Sequence, residues 1–379
     1  MPTYCAWQYT TQGRLSGTVT RVTRSRKDEV EDDEVLIQVK AAAVNPVDEQ
    51  LAQSGASLLR FMGADPLPSD LTPWVPANDF SGVVKAAGVD SGYKVGDEVY
   101  GMKPFGPVDG DGTLQEYITA KKDWPMVPKP AELSFSEAAA LPLVYMTVYD
   151  ALINYGRLEF NPPPEQRGKR SVLILGGSSG TGSVAVQLGK KMGLNVVATC
   201  STRNVEFVKS LGADEVIDYK QAKVVDSALF SHYAPYALVL DCVGGKEVVE
   251  HIDHLLLDDP KAPHLGIYVT IVGDKTGRDA MGGAITNYFY PAQAIRTFRG
   301  RLRDTLPWWT PFKSWIAGKR YACIMLQPSR EMLESVPEFL ASAKNVIIDS
   351  TWSFEDVPKA YAKLESGRAV GKVVVEVSS

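Results

Sequence analysis

The chain has 379 residues, 45% of them hydrophobic, and a formal net charge of −5 at pH 7. That length allows two domains with sizeable cores, and that apolar content excludes a disordered chain. Without a basic stripe the charge argues against a nucleic-acid binder, and no apolar run reaches the length of a membrane span.

The first third reads as β structure. "DEVLIQVKAAAVN" places Val35, Ile37 and Val39 on one face and Gln38 and Lys40 on the other, the period of a half-buried strand. "FSGVVKAAG", "GDEVYGM" and "TLQEYITA" are further short β runs, spaced as in a barrel or sandwich. "RVTRSRK" at Arg21–Lys27, followed at once by "DEVEDDE", reads as a solvated loop or hairpin. Gln53–Pro76, with Phe61 and Trp74, is rich in Pro, Gly, Ser and Asp and reads as a long loop near a site.

From Ser134 the period changes. "SFSEAAALPLVYMTVYDALINYG" predicts a helix, a break at Pro142 and a longer helix. Beyond the connector "NPPPEQRGKR", the strands "SVLILG", "NVVATC", "DEVIDY", "YALVLDCVG" and "GIYVTIVG" alternate with helices. This predicts βαβ units and a parallel sheet covered on both faces. Thr276–Lys319 is less regular, and Trp308, Trp309 and Trp315 in it are read as packing residues. "RYACIML" predicts the last strand of this half. Two helices follow, the second with Val357, Ala360, Tyr361 and Leu364 at helical spacing, and "GKVVVEV" closes the chain as a strand.

The stretch "LILGGSSGTGSVAVQLGKKMG", Leu173–Gly193, is an apolar strand, a glycine-rich turn and a helix. Such a turn presents free N–H groups at a helix N-terminus, where the dipole favours an anion. The dinucleotide fingerprint G-x-G-x-x-G fits with Gly177 at the tight turn and Gly182 at the close helix–strand approach, but Ser179 replaces its middle glycine. Ser179 crowds that approach, while its hydroxyl and that of Ser178 are able to donate to a phosphate. NAD sites carry a carboxylate at the end of the second strand. Here Ser201, Thr202 and Arg203 follow "NVVATC", and a hydroxyl with a guanidinium suits the 2′-phosphate of NADPH. Cys5, Cys200, Cys242 and Cys323 are scattered, as expected in a reducing compartment, and the N-terminus shows no secretory pattern; a cytoplasmic protein is expected.

Taken in order, "VKAAAVNPVD", "DFSGVV", "VGDEVYG", "GTLQEYI", "AAALPLVYMTVYDAL", "LGADEVIDY", "DCVGG", "YVTIVG" and "SGRAVGKVVVEV" give the chain a family likeness. Over almost its full length it resembles the medium-chain dehydrogenase/reductase superfamily. Within that it resembles the zinc-independent quinone oxidoreductase (zeta-crystallin-like) branch, most of all the reticulon-interacting mitochondrial oxidoreductase type. The resemblance implies an α/β protein in which a Rossmann doubly wound sheet is inserted into a GroES-like β-barrel catalytic domain. The catalytic domain is expected over 1–144 and 329–379, and the NADPH-binding domain over 145–328. Zinc-dependent members have a cysteine where this chain has Asn45 and Gly-His-Glu where it has Ala77-Asn78-Asp79. Amides are poor zinc ligands, so no metal is expected.

The resemblance further places Asn45 by the nicotinamide with Asp48 packed nearby, and Thr147, Ile271 and Val272 at the nicotinamide end. It puts Ser178, Ser179, Gly180 and Thr181 at the pyrophosphate, Ser201 and Arg203 at the 2′-phosphate, and Tyr219 by the adenosine. Cys242, Ala322 and Ile324 fall at the cofactor edge, and Arg368, Ala369 and Val370 in a closing turn. Cys242 stands where the reticulon-interacting type has asparagine, Val370 where it has arginine, and Gln50 where many quinone reductases have tyrosine. Without a metal to polarise an alcohol or ketone, hydride transfer suits quinones and α,β-unsaturated carbonyl compounds. Tyr145, Asn45 or a water is the expected donor to the developing oxyanion. Two alternatives stand beside this enzyme: an enoyl-thioester reductase using "RTFRGRLRD" at Arg296–Asp304 as a basic rim, and a non-catalytic NADPH-binding protein. A homodimer through the apolar edge strand "RYACIML" is expected.

Overall fold

A computed structural model describes residues 1–54, 67–104, 110–258, 266–274, 291–306, 310, 319–343 and 345–378. Half of the expected long loop, with Phe61, and the tryptophans Trp308, Trp309 and Trp315 lie outside the described residues. In chain order the strands are β1 (Thr3–Gln8), β2 (Thr20–Ser25), β3 (Glu34–Val44), β4 (Asp79–Ala87), β5 (Glu98–Met102), β6 (Tyr117–Lys121), β7 (Met126–Pro128) and β8 (Ser171–Leu175). They continue as β9 (Asn195–Cys200), β10 (Glu215–Asp218), β11 (Leu238–Asp241), β12 (Ile267–Thr270), β13 (Arg320–Cys323), β14 (Ile348–Ser353) and β15 (Lys372–Glu376).

Contacts divide the chain into two units. The first comprises Met1–Met146, Pro328–Glu338 and Val346–Ser379; the second comprises Thr147–Gln327 and Phe339–Asn345. In the first unit a seven-stranded sheet runs β14-β15-β3-β4-β5-β7, with β6 paired to β3. The alternation seen in the sequence is realised: Val35, Ile37 and Val39 are fully buried in one core with Phe80, Val99 and Tyr361. β15 lies antiparallel to β3, Val373 opposite Val44, so the chain's last strand joins its first third. Val357, Ala360 and Tyr361 have no exposed surface, as their helical spacing predicts. The basic run at Arg21–Lys27 takes the hairpin option, β2 pairing antiparallel with β1.

The second unit is a six-stranded parallel sheet in the order β10-β9-β8-β11-β12-β13. Counted from β8, that order is 3-2-1-4-5-6, the doubly wound Rossmann arrangement expected from the βαβ alternation. Every residue of "SVLIL" and of "LVLD" is buried, as in a strand covered on both faces. The strand order reverses between β8 and β11, the place where such sheets bind ligands beyond their carboxyl ends. No helix among the described residues is long and apolar enough to cross a membrane.

Candidate active site

The phosphate loop follows β8 at that reversal. Its left-handed residue is Gly176 (φ +85°), one position before the Gly177 expected for the tight turn. The Gly176 N–H donates to Thr199 Oγ1 at 2.9 Å and the Gly177 N–H to the Thr199 carbonyl at 2.8 Å, so β9 holds the loop. Gly177 instead serves close packing: a Cβ there would lie 2.9 Å from the Ala198 Cβ. Ser179 caps the helix Gly180–Lys191, its Oγ accepting from the Gly182 N–H at 3.0 Å. A helix start needs such an acceptor, which is why serine serves where the fingerprint has glycine. The Gly180 and Thr181 N–H groups meet no protein acceptor among the described residues, as first-turn donors do.

The other predicted residues of this unit step off the carboxyl ends of the same parallel strands. Ser201 follows β9, and Tyr219 follows β10, its N–H donating to the Cys200 carbonyl at 3.1 Å. Cys242, Ile271 and Ile324 follow β11, β12 and β13, each continuing the ladder through its N–H to Leu175, Asp241 and Thr270 respectively. Ala322 sits in β13, and Thr147 is buried in the helix Pro142–Tyr149. Burial raises the Cys242 thiol well above its ordinary range, so it is neutral. Arg203 is exposed and makes no ion pair among the described residues. Asn204, which the sequence did not single out, donates through Nδ2 to Ser178 Oγ at 3.1 Å and Ser201 Oγ at 3.4 Å.

Arg368, Ala369 and Val370 belong to the first unit, beyond the helix Val357–Glu365. Arg368 is exposed, Ala369 packs on the first unit's core, and the Val370 N–H donates to Asp349 Oδ1 at 2.7 Å.

Asn45 lies in the first unit at the end of β3, in a buried polar cluster. Its Nδ2 donates to the Ala43 carbonyl at 3.2 Å and to Asp79 Oδ2 at 2.9 Å, and its Oδ1 accepts from Lys372 Nζ. Lys372 Nζ also reaches Asp79 Oδ2 at 3.2 Å, and Asp79 Oδ1 accepts from the Leu143 N–H at 2.9 Å. Burial raises the Asp79 carboxyl above its ordinary value, with Lys372 pulling the other way. Asp48 is the third residue of the next helix, Pro46–Gln53, and accepts the Asn45 N–H through Oδ2 at 2.8 Å, while its buried Oδ1 has no partner. Burial pushes Asp48 up to about 7, against the pull of the Asn45 N–H and Lys372.

This geometry removes the support for both expected oxyanion donors. The two Asn45 amide hydrogens are already committed inside the cluster. Tyr145 is fully buried, and its hydroxyl pairs with Ser335 Oγ at 2.7 Å, which makes it a core residue. The cluster also bears on zinc. The groups at the positions of the zinc ligands are the Asn45 and Asn78 amides and the Asp79 carboxylate, and the Asn78 amide is spent on the Lys103 carbonyl at 3.1 Å. The cation between Asn45 and Asp79 is the ammonium of Lys372. With no thiolate or imidazole and an ammonium in their midst, these residues do not fit a zinc ion.

A parallel sheet of this order with a phosphate loop at its reversal is the architecture of dinucleotide-dependent oxidoreductases. The sequence matches the Alcohol dehydrogenase GroES-like domain family over residues 31–131 and the Zinc-binding dehydrogenase family over 211–375. It is 32% identical over 357 residues to the NAD(P)H oxidoreductase RTN4IP1, mitochondrial, of Homo sapiens, covering 91% of this chain and 82% of that one. It is 33% identical over 380 residues to the 2-methylene-furan-3-one reductase of Solanum lycopersicum, covering 98% and 78%. The fold matches the quinone oxidoreductase of Coxiella burnetii with a TM-score of 0.73 at 26% identity, covering 100% of both chains. The chain belongs to the medium-chain dehydrogenase/reductase superfamily and is an oxidoreductase, with a likeness to the quinone oxidoreductase branch in its fold.

The relatives also correct the expectation of a cytoplasmic protein. Those from Homo sapiens, Bos taurus, Danio rerio and Drosophila melanogaster are named mitochondrial, which points to the mitochondrion instead. Scattered cysteines fit a reducing compartment but do not separate one reducing compartment from another.

Proposed function

We propose that this protein is an NADPH-dependent reductase of quinones or α,β-unsaturated carbonyl compounds that transfers hydride without zinc. The observation that carries the reading is the pairing of the phosphate loop with Ser201 and Arg203, in the place where NAD enzymes put a carboxylate. NADPH, when bound, supplies the hydride. The free Gly180 and Thr181 N–H groups and the hydroxyls of Ser178 and Ser179 are suited to the pyrophosphate, and Arg203 to the 2′-phosphate. Tyr219, Cys242, Ile271, Ala322 and Ile324, at the strand ends, are assigned to the remaining cofactor contacts, together with Thr147 and the turn Arg368–Val370. In the first unit Asn45 acts as a positioning residue, held by Lys372 and Asp79. The pocket lined by Tyr9, Asp48, Trp74, Asn78 and Lys103 is assigned to the acceptor.

The enoyl-thioester alternative loses ground because two arginines of its basic rim are committed internally, Arg296 to Asp274 and Arg303 to Asp258. Steady-state turnover with a quinone, an alkenal and an enoyl thioester separates the readings. The quinone or alkenal is expected to oxidise NADPH fastest. Preference for the thioester contradicts the acceptor class, and NADPH binding without turnover on any of the three contradicts the enzyme. We further propose a homodimer across β13, which ends the parallel sheet. Light scattering at micromolar concentration is expected to give twice the 41.3 kDa chain mass; a monomeric mass contradicts it.

A further inference from the structure

We propose that Asn204 sets the polarity of the 2′-phosphate pocket: by donating to the oxygens of Ser178 and Ser201, it leaves the Ser201 proton to be donated to the 2′-phosphate and the Ser178 proton to the neighbouring pyrophosphate. The inference deepens the NADPH reading and rests on it. Asn204 stands just before the helix Val205–Ser210, where an asparagine side chain ordinarily caps the helix, yet it makes no cap bond. Its backbone N–H donates to the Ser201 carbonyl at 2.8 Å, closing the short turn Thr202–Asn204. The side chain turns back instead, and Nδ2 reaches Ser178 Oγ at 3.1 Å and Ser201 Oγ at 3.4 Å. One amide thus ties the loop after β8 to the turn after β9.

The consequence follows from the inventory of donors. A hydroxyl has one proton to give and two lone pairs to accept with. Where an amide N–H occupies an acceptor position, the hydroxyl proton is directed to another partner. Ser178 and Ser201 are both half-buried, and Arg203 lies between Ser201 and Asn204 in the chain. The Ser201 O–H donor beside the Arg203 guanidinium suits a 2′-phosphate, whose oxygens only accept when it is ionised. It does not replace the carboxylate that takes the ribose 2′-hydroxyl proton in NAD enzymes. Asn204 is therefore a positioning residue whose effect is on the choice between NADPH and NADH.

Asn204→Asp tests this at nearly constant size. A carboxylate accepts from both hydroxyls, turns their protons inward and brings negative charge to the pocket. The ratio of the NADH to the NADPH dissociation constant is expected to fall on the order of tenfold or more, chiefly through weaker NADPH binding. Asn204→Leu, which removes the donor without adding charge, is expected to lower the same ratio by a smaller factor, and the thermal midpoint of each variant reports whether it has folded. An unchanged ratio in both folded variants overturns the inference. So does an equal loss of affinity for the two cofactors, which marks Asn204 as simple loop support. Failure of the NADPH reading is a different result: the wild-type protein then shows no preference for NADPH, or keeps its preference when Arg203 is replaced by alanine.

Discussion

Replacing Lys372 with methionine is expected to lower the stability of the folded protein by about 3–5 kcal/mol, the cost of breaking a buried ion pair by removing one partner. The Lys372 and Asp79 side chains are 6% and 0% exposed. Without the ammonium, Asp79 keeps only the Asn45 amide and the Leu143 N–H, and Asn45 Oδ1 loses its donor. The stranded carboxylate must then take up a proton or remain buried without a counter-charge, and either is costly. The double variant Lys372→Met/Asp79→Asn removes the stranded Asp79 charge and is expected to recover a large part of the loss. Chemical denaturation of the single and double variants measures both. A double variant no more stable than Lys372→Met shows that the pair is not what holds the cluster.

Gly182→Ala is expected to weaken NADPH binding by about tenfold or more, because overpacking costs about 1–3 kcal/mol and here displaces the loop itself. A Cβ at Gly182 would lie 2.1 Å from the Gly176 carbonyl oxygen and 3.0 Å from the Gly177 Cα. Both are backbone atoms of the turn, so relief requires the turn to move away from the helix start. Gly189→Ala, on the same helix, is the control. Its Cβ would meet only side chains, the nearest being Val196 Cγ2 at 2.9 Å. It is expected to cost stability and leave cofactor affinity near that of the wild type. Equal cofactor affinity in Gly182→Ala and wild type contradicts the placement of the phosphate on this loop.

The parallel sheet is plain in the sequence because strands buried on both faces are continuous apolar runs, such as "SVLIL" and "LVLD". The phosphate loop is plain for a related reason: strand, turn and helix are contiguous. Its details are less so. The positive φ falls on Gly176 and not on Gly177, and Ser179 turns out to be a cap, since which of several adjacent residues takes each role depends on where β9 holds the loop.

Of the polar cluster, the neighbouring Asn45 and Asp48 are expected together from the family likeness, but its pairing with Lys372 and Asp79 is not legible. Nothing in "GKVVVEV" marks Lys372 as buried, and only tertiary pairing brings it to Asn45 and Asp79, 327 and 293 residues away. Asn204 is similarly hidden, its contact with Ser178 spanning 26 residues. Tyr145 shows the converse: an aromatic hydroxyl at a suggestive position in the sequence is paired with Ser335, 190 residues away, and sealed in the core.

The central claim is that a 2′-phosphate on the cofactor is recognised beyond β9. It is tested most directly by titrating wild type and Arg203→Ala with NADPH and with NADH. Wild type is expected to prefer NADPH, and Arg203→Ala to lose about 1.5–3 kcal/mol of NADPH binding while NADH binding changes little. Equal losses for the two cofactors, or a wild type that prefers NADH, contradict it.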